Sequence, residues 1–133
     1  MNTAIKTLAF FIVTALLLIG ACRNASEDTE PGIFDLRVNG VIDQIGQGDH
    51  QLGTIARFEM NLSDNRELAE FQVDVEGMLD YIEKIEGSTA GVTYDFTVDA
   101  ATYNVADTVR IVFIAEDGFG NIALKPYSMR IVE

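Results

Sequence analysis

The sequence predicts an all-β domain, an antiparallel sandwich of about seven short strands, set behind a cleaved export leader. Three observations predict it. Apolar residues between positions 33 and 133 recur mainly with period two, the signature of strands with one buried face. Turn chemistry interrupts that alternation, as in Ser63-Asp64-Asn65 and Asp117-Gly118-Phe119-Gly120-Asn121. No long stretch repeats at the helical period, which leaves sheet on sheet as the way to bury the apolar faces.

Residues 1–21 have the parts of an export signal: Lys6 supplies positive charge, Leu8 to Ala21 is apolar apart from Thr14, and Gly20-Ala21 are small. The apolar run is about 14 residues, short of the roughly 20 that span a bilayer as a helix. Ile19-Gly20-Ala21-Cys22 resembles the lipobox of bacterial lipoproteins, although leucine is commoner where Ile19 stands. That resemblance implies cleavage before Cys22, lipidation of Cys22 and an outer-membrane location on the surface or periplasmic face. The alternative is an ordinary secretory signal with an incidental cysteine. Cys22 is the only cysteine, so lipidation leaves no thiol for a disulfide, a nucleophile or a metal.

Residues 22–32 carry no apolar periodicity and close on Pro31-Gly32, as a solvated acidic linker does. Ser26-Glu27-Asp28 is similar to the surface-export signals of Bacteroidota lipoproteins; a plain acidic linker is the other reading. The full chain has a net charge of −12. Removing residues 1–21 takes away Lys6 alone, leaving 8 basic and 21 acidic residues and a net −13. Phosphate backbones are bound by clustered Lys and Arg, so nucleic acid is excluded as a partner.

The strands follow in order. Ile33–Val38 is the first, and Val41–Ile45 a short edge piece. Gly46-Gln47-Gly48-Asp49 reads as a turn. Thr54–Leu62 alternates, with Ala56, Phe58, Met60 and Leu62 on one face. Leu68–Glu76 places Phe71, Val73 and Val75 inward. Residues 77–91 are ambiguous: Leu79, Ile82 and Ile85 recur every three residues, so a helical turn competes with an edge strand or loop. Val92–Val98 alternates again. Thr108–Glu116 is apolar on both faces, because Val112 and Ile114 join Val109, Ile111, Phe113 and Ala115, and such a strand is usually central. Ile122–Val132 completes a hairpin, with a bulge or sheet edge expected at Pro126, which lacks an amide hydrogen.

An immunoglobulin-like arrangement over residues 33–133 fits these strands, with a jelly roll or small barrel as the runner-up. With no Trp and no disulfide, Phe58, Phe71, Phe96 and Phe113 are expected to fill the core. Asp64-Asn65-Arg66-Glu67-Leu68 resembles the D-N-x-x-L turn, and Ala115-Glu116-Asp117-Gly118-Phe119-Gly120-Asn121 the A-x-D-x-x-G-N hairpin, of Ig-like and cadherin-like domains in Bacteroidota lipoproteins. The resemblance implies an envelope protein with an Ig-like domain of unknown function and no known catalysis.

The candidate site residues are few. Asp64, Asn65, Glu67, Asp117 and Asn121 are loop oxygen donors of the kind calcium collects, though their spacing is not that of an EF-hand. The same residues close Asx turns and hairpins, which is the commoner use. His50, the only histidine, reads as a solvent-exposed loop residue. Asp99-Ala100-Ala101-Thr102-Tyr103 resembles the immunoglobulin tyrosine corner, with an ordinary loop and a half-buried tyrosine as the alternative. Tyr81 and Tyr103 are the best aromatic candidates for a sugar platform. The expected function is a non-enzymatic, lipid-anchored envelope domain for adhesion or as an accessory part of a surface complex. The alternative is a glycan-binding accessory lipoprotein of a nutrient-uptake system. No cofactor is expected unless calcium binds.

Overall fold

The computed structural model describes residues 27–133. The leader, the lipobox and Cys22 lie outside them. The described chain folds as nine strands: β1 Gly32–Val38, β2 Val41–Ile42, β3 Gln47–Gln51, β4 Ile55–Ser63, β5 Leu68–Val75, β6 Met78–Lys84, β7 Thr89–Thr97, β8 Thr108–Asp117 and β9 Ile122–Val132. They form two sheets, ordered β2-β1-β4-β7 and β3-β9-β8-β5-β6. The protein is thus an all-β, Ig-like sandwich. Every strand pair is antiparallel except β3 with β9.

The core lies between the sheets and follows the alternation. Phe58, Phe71 and Phe113 are fully buried, and Phe96 is buried beside them. Phe113 sits at the centre, its ring centroid 5.2 Å from that of Phe58 and 6.3 Å from that of Phe71. Tyr127, Met129 and Ile131 close the β9 side. Pro126 lies where β9 is a sheet edge, because β3 pairs only from Ser128 onward.

Of three segments, the first departs from the sequence reading, the second resolves to one of its alternatives, and the third adds to it. The first is the stretch expected to be a Gly-rich turn, which is largely the edge strand β3. His50 faces inward there, opposite Ile131, and is 5% exposed rather than solvated. Gly48 is needed for contact, not for turning: a Cβ on it would stand 2.3 Å from the Tyr127 hydroxyl. The second is the ambiguous segment, which is β6. Val73 opposes Tyr81 while Asp74 opposes Leu79, so Asp80 is an extra, bulged residue. That insertion puts Leu79 and Ile82 three apart yet on one face, imitating a helical period. Glu76 and Gly77, both at positive φ (53° and 81°), make the two-residue hairpin turn that leads into it. The third is the outer face of β8. The strand is central in its sheet, as its two apolar faces predict; Val112 and Ile114 on the outer face are half-buried, and nothing among the described residues covers them.

Candidate metal centre at the base of the sandwich

The chain enters the sandwich at one end, its base, where three segments meet. These are the tether just before β1, the β4–β5 connection and the β8–β9 hairpin. Each contributes a carboxylate. Oxygens of Asp28, Asp64 and Asp117 lie within 4.8 Å of one another.

Turn chemistry positions two of the three. Asp64 Oδ2 accepts the amides of Arg66 (2.7 Å) and Glu67 (2.9 Å), an Asx turn that fixes the carboxylate. Asp117 is 1% exposed. Its Oδ1 accepts the amides of Phe119 (2.8 Å) and Asn121 (2.9 Å), and its Oδ2 accepts Asn121 Nδ2 (2.7 Å). Burial alone would push the Asp117 carboxyl up. The Asn121 side chain and the amides of Asn121, Phe119 and Gly120 together outweigh it and hold the group below its ordinary value, in the ionised form.

The tether supplies the third. Asn121 Nδ2 also donates to Asp28 Oδ2 (2.8 Å), and Asn65 Nδ2 donates to the Glu27 carbonyl (2.8 Å). The tether residues next to the domain are therefore docked on it, where a solvated linker was expected. Arg66 Nε stands 3.6 Å from Asp28 Oδ1, too long for a hydrogen bond, and its guanidinium covers the Phe119 ring at 4.9 Å.

Two oxygens are left over. Asp28 Oδ1 and Asp64 Oδ1 are both buried and have no hydrogen-bond partner. Buried carboxylate oxygens without donors are costly, and three acids this close repel one another. A divalent cation would answer both costs. Calcium takes six to eight oxygens at about 2.3–2.6 Å in flexible geometry, which three loop carboxylates completed by water can supply.

The structure thus brings Asp64, Asp117 and Asn121 together, with Asn65 gripping the tether beside them. Glu67 is exposed and takes part through its backbone, its carbonyl accepting Gly118 N–H (2.9 Å). Asp28 was missed as a site residue. It lies in an acidic run whose spacing marks no partner, and only the tertiary path of the tether delivers it.

The other candidates sit elsewhere. His50 Nε2 is 2.9 Å from the Tyr127 hydroxyl, with its ring against Phe58 and Tyr127. Burial holds its pKa below the usual imidazole value, against the pull of Asp49. A concavity of about 520 Å³ beside it is lined by Gln47, Asp49, Thr108 and Arg130 and not by His50. Tyr81 packs on Phe71 and Tyr94 and donates to Glu83 Oε2 (3.0 Å). Tyr103 packs on Phe96 at 5.7 Å. Both are half-buried rather than a free stacking platform. Asp99 closes an Asx turn through the Ala101 amide (3.0 Å).

No family model matches the sequence, and no curated protein matches it. Solved structures do resemble the fold. A Niemann-Pick type C2 protein from the Japanese carpenter ant superposes with a TM-score of 0.56 at 7% identity, covering 79% of this chain and 95% of that one. A CARDB domain from Pyrococcus furiosus, solved in complex with di-metal ions, superposes with a TM-score of 0.54 at 11% identity, covering 83% of this chain and all of that one. At these identities the likeness is one of fold: the chain is similar in architecture to Ig-like domains of the CARDB kind.

Proposed function

We propose that the protein is a lipid-anchored, non-enzymatic module of the cell envelope. A divalent cation of the calcium type joins its tether to the base of its Ig-like sandwich. The anchor follows from Cys22 and the lipobox before it. The cation follows from one observation: two buried carboxylate oxygens, Asp28 Oδ1 and Asp64 Oδ1, have no donor inside a three-carboxylate cluster. The Pyrococcus domain, of similar fold, is a precedent for metal ions on such a sandwich. The clasp would hold the domain in a set posture on its tether, as adhesion or an accessory role in a surface complex requires. The half-buried packing of Tyr81 and Tyr103 counts against the glycan-binding alternative.

Calorimetric titration of the chain with calcium chloride tests the reading. Saturable binding is expected, weakened at least about tenfold by Asp64→Asn, since that loss corresponds to about 1.4 kcal/mol. Absence of heat and of any calcium-dependent stabilisation, at calcium levels typical of extracellular sites, would remove the cation from the account.

A further inference from the structure

The three-carboxylate cluster has a cation of its own beside it. Arg66 Nε stands 3.6 Å from Asp28 Oδ1, one of the two buried oxygens that have no hydrogen-bond donor. At that distance the group offers charge without a hydrogen bond, so the oxygen keeps its lone pairs for a metal.

The place of Arg66 is built by the cluster itself. Asp64 Oδ2 accepts the Arg66 amide (2.7 Å), which fixes where the side chain leaves the backbone. The guanidinium then lies over the Phe119 ring, 4.9 Å from its centroid, a cation–π contact. Phe119 is in turn held by its amide on Asp117 Oδ1 (2.8 Å). Two of the three acids thus hold the residues that aim Arg66 at the third. The other ion pairs among the described residues, Arg57 with Asp95 and Arg130 with Asp49, join β4 to β7 and β9 to β3.

The charges then balance. Three carboxylates and one guanidinium leave two negative charges, the number that a divalent cation neutralises. We propose that Arg66 sets the valence and the affinity of this site. It stays beside the bound ion, disfavours trivalent ions more than divalent ones, and holds the affinity for calcium below what the three carboxylates alone would give. The proposal rests on the cation reading above and adds to it a residue that binds no metal itself. Repulsion between Arg66 and the ion scales with the charge of the ion. The 3.6 Å contact and a metal–oxygen bond of about 2.4 Å place the two roughly 6 Å apart. The side chains of Arg66 and Asp28 are 33% and 21% exposed, so solvent screens this repulsion. With water-like screening, one positive charge at that distance weakens a divalent ion about tenfold and a trivalent ion about thirtyfold.

The test is calorimetric titration of the full chain with calcium chloride and, separately, with terbium chloride, whose trivalent ion also seeks oxygen ligands. Wild type, Arg66→Gln and Arg66→Lys are compared; the side chain lies outside the core, so an unchanged circular dichroism spectrum is expected of both variants. Arg66→Gln should bind calcium about tenfold and terbium about thirtyfold more tightly than wild type. Arg66→Lys keeps the charge and should stay within about threefold of wild type for both ions. A residue that only props the loop would instead weaken both ions equally when replaced. Calcium binding that Arg66→Gln leaves unchanged or weakens, or a gain equal for the two ions, overturns this proposal and leaves the cation reading standing. A wild type that binds neither ion removes both.

Discussion

Gly48→Ala probes the least expected part of the core. The new Cβ would stand 2.3 Å from the Tyr127 hydroxyl, but 3.5 Å from both Tyr127 Cζ and His50 Nε2. The first distance is a clash; the others are ordinary contacts. Forcing a methyl into a filled site costs about 1–3 kcal/mol. Stiffening the unfolded chain returns about 0.4–1 kcal/mol, so a net loss of roughly 1–2 kcal/mol is expected. Tyr127→Phe removes the clashing atom together with its hydrogen bond to His50, a loss of about 1 kcal/mol. In that background Gly48→Ala should cost nothing further, giving a coupling of about 1–2 kcal/mol between the sites. Urea midpoints at unchanged slope measure all four proteins. A single Gly48→Ala within about 0.5 kcal/mol of wild type, or the same cost with and without the hydroxyl, would refute the placement of Gly48 against the Tyr127 hydroxyl.

Three further outcomes follow from the same structure. His50 has a depressed folded pKa, so below the ordinary value of 6.5 the unfolded chain takes up a proton that the folded chain resists. Stability is therefore full above that pH and falls as the pH drops through the folded value; a urea midpoint with the same slope in His50→Gln would contradict this. Phe113→Ala should cost about 3–5 kcal/mol, since its ring is fully buried between Phe58 and Phe71, and a loss below about 1 kcal/mol would show the centre of the core to be misplaced. Cys22→Ser should release the protein from membranes on fractionation; a substituted chain that still sediments with them would end the lipobox reading.

The sequence showed most clearly those parts whose physics is local. Alternation in Thr54–Leu62, Leu68–Glu76, Val92–Val98 and Thr108–Glu116 named the inward faces, and every phenylalanine expected in the core is buried there. The turn residues Asp64 and Asp117 were equally legible, because an Asx turn is written in its own few positions. What stayed hidden depends on distant contacts. Gly48 looks like a turn residue until the Tyr127 hydroxyl is placed over it. The β6 bulge at Asp80 shifts the period from two to three. Asp28 resembles every other acid of the linker until the tether folds back. The two apolar faces of β8 placed it centrally in its sheet, but sequence cannot distinguish a face covered by its own chain from one left open.

The central claim is that a cation closes the junction of tether and sandwich. A crystal structure grown in calcium chloride, with data collected for the anomalous signal of calcium, tests it most directly. The account predicts a peak about 2.3–2.6 Å from Asp28 Oδ1 and Asp64 Oδ1, with Asp117 beside it. A structure in which those two oxygens turn to solvent or to the Arg66 guanidinium, with no anomalous peak between them, would contradict it.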